Sequence, residues 1–258
     1  MVRALAFDVY GTLVDPISIS RALEDVGIAD RIDVRSFVPE WHSKQLQYAW
    51  MITTLLQGDK IRYNKFESFS DLSIRALKYI TKVHRLDDLK KEQIEKIKEG
   101  QMHLQPYPDV KAGLETLRSN VIIDGANGNG NNSSGSNLKK MVVLSNGGKV
   151  QTEKLLSNIG LRSYFDEILS AEDVQRYKPS SEPYLNTSKI LRVEISEIVM
   201  VSSNLWDILG AYSIGMKTCW INREQQIVNE EIDAKPDYTF RKLGDVKEVF
   251  LQGQQELQ

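Results

Sequence analysis

Four short stretches of this chain hold residues that could do chemistry together. The first, Ala4-Leu5-Ala6-Phe7-Asp8-Val9-Tyr10-Gly11-Thr12-Leu13-Val14-Asp15, runs apolar residues up to one carboxylate and follows it with Gly-Thr. A continuous apolar run reads as a strand buried on both faces, as in parallel sheets. Gly11 permits a tight backbone departure where a side chain would clash. Asp8 then sits at the carboxyl end of a central strand, where open α/β sheets place their ligands. A carboxylate there is capable of covalent chemistry, although by type alone Asp8 is equally a turn residue closing an ordinary strand. The second stretch, Ser145-Asn146-Gly147, offers a hydroxyl, an amide and backbone N–H groups at a helix start, a set suited to a substrate carboxylate. The third is Lys178-Pro179, with Tyr184 six residues beyond the lysine. A buried carboxylate beside a second one needs a cation to stay ionised, whereas a lone Lys before a helix is usually solvated. The fourth is Ser202-Ser203-Asn204-Leu205-Trp206-Asp207.

These stretches end strands or open helices, which gathers them on one rim. From Ile17 to Gly100 the apolar spacing is helical throughout: Ile17 to Gly27, Trp41 to Leu56, Tyr63 to His84, and a charged amphipathic helix from Leu86 to Gly100. Asp33 to Glu40 reads as a connector because Pro39 discourages helix in the residue before it. Beyond Gln105 the signal alternates. Helices are expected at Val110 to Arg118, Val150 to Ile159, Glu182 to Leu191 and Asp207 to Ile214. Strands are expected at Met141 to Leu144, Glu167 to Leu169, Ile198 to Val201 and Thr218 to Ile221. That order implies right-handed crossovers and a parallel sheet. The expected fold is therefore α/β, a Rossmann-like parallel sheet core (1–15 and 105–258) with an inserted all-helical cap domain (16–104). Residues 124–137 are low-complexity and read as a flexible surface loop.

A chain of 258 residues can bury a substantial core, and 33 basic against 35 acidic residues leave a formal charge of -2. No global field favours nucleic acid or an anionic membrane. The single cysteine, Cys219, excludes an internal disulfide and a cysteine-based zinc cluster. No apolar segment is long enough to span a bilayer. The expectation is a soluble, cytoplasmic protein with a small-molecule substrate.

The first stretch resembles motif I of the haloacid-dehalogenase (HAD) superfamily, whose first Asp is a nucleophile. Most members are phosphatases, with a second Asp two residues on that protonates the leaving group; Tyr10 holds that place here. The Phe-Asp-x-Tyr-Gly-Thr form is similar to the branch of L-2-haloacid dehalogenases, which attack carbon and need no metal. The other stretches agree in order and spacing, so the resemblance covers nearly the whole chain. It implies an (S)-2-haloacid dehalogenase reaction: Asp8 displaces halide from C2 of a short 2-haloalkanoic acid, and water hydrolyses the resulting ester to a 2-hydroxy acid. By the same resemblance Thr12 orients Asp8, and Ser145 and Asn146 meet the substrate carboxylate. Lys178 pairs with the nucleophile, with Tyr184 in family register. Asp207 positions the lysine and helps activate water, with Ser202 and Asn204 as hydrogen-bonding partners. Tyr10, Leu46, Phe66 and Trp206 are the implied apolar walls of the pocket. Ser203 stands where phosphatases place a metal-ligating Asp, and magnesium prefers carboxylate oxygens. No cofactor is expected, Mg2+ entering only if the chain were a phosphatase. Similar enzymes suggest a homodimer through cap helices.

One departure bears on the chemistry. Where these dehalogenases carry an Arg that accepts the departing halide, this chain has His42, and Ser43 replaces a pocket Gln. Arg is permanently charged, whereas an unperturbed His titrates near about 6.5. Losing a charge-assisted contact to a developing anion costs roughly 2 to 4 kcal/mol of barrier. The expectation is weak dehalogenation that improves as His42 gains a proton, or a drift to another small carboxylate; Arg35 is a candidate substitute cation. Two other readings stay open: a HAD-type phosphatase keeping Asp8, Thr12, Ser145 and Lys178, and a binding protein that keeps the fold without turnover.

Overall fold

The computed structural model describes residues 2–56, 65–86, 88–126, 140–227 and 235–252. In chain order the strands are β1 (Ala4–Phe7), β2 (Val14–Asp15), β3 (Gln105–Pro106), β4 (Lys140–Ser145), β5 (Glu167–Ser170), β6 (Ile198–Ser202), β7 (Lys217–Ile221) and β8 (Tyr238–Phe240). The helices are α1 (Ser20–Asp25), α2 (Val34–Leu55), α3 (Phe69–Val83), α4 (Lys91–Gly100), α5 (Val110–Ala126), α6 (Lys149–Asn158), α7 (Ser181–Leu191), α8 (Leu205–Ser213) and α9 (Glu248–Gln252).

β1 is buried along its whole length and takes the centre of a six-stranded parallel sheet, ordered β5-β4-β1-β6-β7-β8. Its alternate residues serve opposite faces. Leu5 and Phe7 pack with Leu114, Leu155 and Leu156 of α5 and α6, while Ala4 and Ala6 pack with Tyr184 and Ala211 of α7 and α8. Phe7 lies level with Val143 of β4 and Val201 of β6. The three central strands therefore finish within two residues of one another, with Asp8 level with Ser202 and Ser145 one residue beyond.

Between β1 and β4 the chain makes an excursion whose two ends are pinned by the antiparallel pair β2 and β3. No strand occurs between Ile17 and Gly100 among the described residues. Several expected boundaries move. Ile17 to Gly27 is a 3-10 turn, Pro16–Ile19, followed by the short α1, because Asp15 caps the turn by accepting from the Ile17 N–H. Asp33 to Glu40 is not a connector: α2 runs through it with Pro39 inside, started by Asp33 accepting from the Arg35 N–H. Pro39 lies near the start of α2 and forfeits only its own intrahelical N–H bond, while Phe37, Val38, Trp41 and Leu46 are buried along the helix. α3 starts at Phe69, capped by Ser68, and part of the expected Tyr63 to His84 helix lies outside the described residues. α4 begins at Lys91 rather than Leu86. α5 runs past Arg118 to Ala126, so residues 124–126 of the expected loop are helical, and residues 127–137 lie outside the described residues. β8 and α9 were not anticipated; three and five residues carry too little pattern. Among the described residues no helix is long and apolar enough to cross a membrane.

α8 meets the loop before α7 closely enough to demand glycine. A Cβ on Gly210 would lie 2.6 Å from Pro179 Cβ and 2.7 Å from the Tyr184 hydroxyl. Gly210→Ala is expected to destabilise the protein by about 1 to 3 kcal/mol through overpacking, read as a lower urea midpoint with an unchanged slope.

Candidate active site

The rim formed by β1, β4 and β6 carries one cation between two carboxylates. Lys178 is fully buried, and its Nζ donates to Asp8 Oδ1, Asp207 Oδ2 and the Leu144 carbonyl, each at 2.9 Å. These contacts use all three ammonium protons. The second oxygen of Asp8 accepts from Thr12 Oγ1 and Asn204 Nδ2, both at 2.8 Å. Thr12 Oγ1 in turn accepts from the Ser203 N–H at 2.9 Å, which fixes the hydroxyl's proton toward Asp8. Tyr184 donates to Asp207 Oδ1 at 2.7 Å.

Electrostatics follow from burial. Desolvation works against the Lys178 charge, but Asp207 and Asp8 outweigh it and raise its pKa, so it stays an ammonium. Burial raises Asp207 above the usual carboxylate range, more than Lys178 and Tyr184 pull it back. Tyr10 is pushed up to about 12 by burial and by the charge of Asp8, so it remains a phenol.

The remaining motif residues frame this centre. Ser145 Oγ accepts from the Gly147 N–H at 3.0 Å, and Ser202 Oγ from the Asn204 N–H at 3.1 Å. Asn146 Oδ1 accepts from the Lys178 N–H at 2.9 Å, while its Nδ2 is buried with no hydrogen-bond partner. A cavity of ≈ 50 Å³ lies alongside, lined by Tyr10, Trp41, His42, Gln45, Phe69 and Gly147 among others. It holds roughly four water-sized spheres. Tyr10 and His42 both feel the charge of Asp8.

Not every residue singled out in the sequence lines that cavity. Leu46 and Phe66 lie in a separate apolar cluster with Tyr177, whose ring stacks on Phe66 at 5.2 Å. Trp206 packs edge-on against Trp50 at 5.8 Å, and Tyr184 lies beneath Asp207. Arg35 is exposed on the first turn of α2 and does not line the cavity. The expectation that acid readily charges His42 changes. Enclosure lowers its pKa from 6.5, against the raising influence of Asp8 and a hydrogen bond with Gln45, so it is neutral at pH 7. Gln45, Gln101 and Gln151 were not foreseen as lining residues. Only the spacing of Trp41, His42 and Gln45 along one side of α2 could have signalled the first of them.

A family model for haloacid dehalogenase-like hydrolases matches residues 2–215. The chain is 31% identical to an (S)-2-haloacid dehalogenase of Pseudomonas putida, over 95% of each chain. A crystal structure of a dehalogenase with an intermediate complex superposes with a TM-score of 0.78 at 28% identity, covering 96% of both chains. The L-2-haloacid dehalogenase of Xanthobacter autotrophicus with chloropropionic acid covalently bound has the same fold, with TM-score 0.79 at 23% identity over 97% of this chain and 99% of that one.

Removing the cation would leave two buried carboxylates uncompensated. Lys178→Met is expected to cost about 3 to 5 kcal/mol at pH 7. Without Lys178 the carboxylates' folded pKa values rise above their unfolded ones. They then favour the protonated form, and the variant loses stability as pH rises above about 4. Denaturant unfolding at pH 5 and pH 8 should show the deficit growing with pH.

Proposed function

Since the chain belongs to the haloacid dehalogenase-like hydrolases, we propose that its buried triad of Asp8, Lys178 and Asp207 performs the family's carbon–halide hydrolysis. The protein is a hydrolase resembling (S)-2-haloacid dehalogenases. The observation that carries the assignment of residues is Asp8, paired with one lysine at 2.9 Å, held by two further donors, and set near a small cavity.

In the proposed cycle a carboxylate oxygen of Asp8 attacks C2 of a short 2-haloacid, and halide leaves with the bonding electron pair. The substrate carboxylate meets the unpartnered Asn146 Nδ2 and the N–H groups opening α6. Water then attacks the ester carbonyl of Asp8. One of its protons ends on the 2-hydroxy acid and the other leaves through Asp207, whose raised pKa suits a base. One observation supports a reaction without metal: Ser203 Oγ accepts from Arg223 Nη1 at 3.1 Å, a fixed cation beside the position that would need a ligand. We extend the reading to a homodimer through cap helices. It is supported by exposed apolar pairs one turn apart, Met51 with Leu55 on α2 and Tyr79 with Val83 on α3.

Halide release from (S)-2-chloropropionate is expected to persist with EDTA and to vanish in Asp8→Asn, measured by halide electrode. Loss with EDTA would overturn the metal-free reading, and release by the mutant would overturn the nucleophile. Because His42 is held neutral, native turnover should gain nothing from acid until the pH falls below the usual histidine value. His42→Arg should raise kcat about tenfold or more at pH 8, where an unchanged rate would remove His42 from the path of the halide.

A further inference from the structure

We propose that Trp50, on α2, is a positioning residue for Lys178, gripping the lysine's own backbone from the side of the inserted helices. Its indole Nε1 donates to the Lys178 carbonyl at 3.1 Å. That peptide continues into Pro179, which has no N–H, so the carbonyl is its only hydrogen-bonding group. From the core side the Lys178 N–H is held by Asn146 Oδ1 at 2.9 Å. Nearly one turn along α2, Thr53 Oγ1 accepts from the Tyr177 N–H at 2.9 Å, and the Tyr177 hydroxyl donates to the Glu67 carbonyl at 2.6 Å. Both peptides flanking the Lys178 Cα are thereby fixed, one by the core and one by the helical excursion.

The grip acts where tolerance is small. The ammonium meets three acceptors at 2.9 Å, so a backbone shift of a few tenths of an ångström lengthens at least one of them. The same indole packs edge-on against Trp206, the neighbour of Asp207, and so touches the chain on both sides of the ion pair. Trp50 is 37% exposed, and burial alone does not explain its orientation. Any movement of α2 away from the sheet withdraws this hydrogen bond from Lys178. The insertion therefore helps hold the cation that pairs with Asp8.

The test is Trp50→Phe, which keeps a ring against Trp206 and removes the donor, with Thr53→Val as a second variant on the same loop. In protein carrying 15Nζ-lysine, hydrogen exchange of the buried Lys178 ammonium should speed up severalfold in both. The kcat for 2-chloropropionate should fall about five- to tenfold, the kinetic equivalent of one neutral hydrogen bond, with KM within twofold. The kinetic arm rests on the proposed reaction; the exchange arm does not. Faster exchange in a native protein that releases no halide would uphold the grip while the proposed reaction falls. Unchanged exchange in both variants, or an unchanged kcat where the native protein turns over, overturns the inference.

Discussion

Everything at this site depends on one ammonium group held in a place without water. Lys178 lies between Asp8 and Asp207, and removing it would leave two buried carboxylates facing each other without a counter-charge. Two carboxylates face one cation, and their surroundings differ. Asp207 is acid-weakened by deep burial and shares its other oxygen with Tyr184, whereas Asp8 lies beside the cavity and takes its second set of hydrogen bonds from Thr12 and Asn204. Two chemically identical side chains are set in different surroundings, the basis of the different work the proposed reaction gives them.

The sheet supplies the precision. β1, β4 and β6 run in parallel register, so Asp8 and Ser202 arrive at one height and Ser145 one residue beyond, from three separate strands. The lysine comes from a loop after β5 and is returned to this point by contacts from both layers. The core contributes the Leu144 carbonyl and Asn146, and the excursion contributes Trp50 and Thr53. An ion pair buried this deeply is weak evidence of stability in its own right, since desolvation offsets its attraction. On the proposed reaction, the pair is instead the condition for reactivity.

What the sequence disclosed and what it hid divide along physical lines. The central strands were readable because full burial demands uninterrupted apolar residues, and Met141 to Leu144 and Ile198 to Val201 fall inside observed strands. The motif residues were readable because a fixed spacing after each strand survives any loop drift. Asp8, Thr12, Lys178, Asn204 and Asp207 do converge within hydrogen-bonding distance of one another's partners. Pro39 misled because a local backbone preference was weighed without the apolar face of α2 that overrides it. The cavity walls were the least legible. Leu46 and Phe66 carry the same apolar signal as lining residues, and only tertiary packing assigns them to the Tyr177 cluster instead. Trp50 looked like one more residue of a helical stripe; its partner, Lys178, is 128 positions away.

His42 ties these threads together. A histidine in water is half charged near its ordinary pKa of about 6.5, and on composition alone it would substitute for a permanent cation whenever the medium turned acid. The cavity removes that freedom. Enclosure of the ring disfavours a second buried cation, and the nearby charge of Asp8 does not restore the balance. The lysine escapes the same penalty because two carboxylates face it directly, and His42 has no such pair. The site therefore concentrates its positive charge against Asp8 and leaves the His42 side of the cavity with dipoles and a neutral ring. On the proposed reaction, charge placement, more than the inventory of residues, sets which half of the chemistry is well supported.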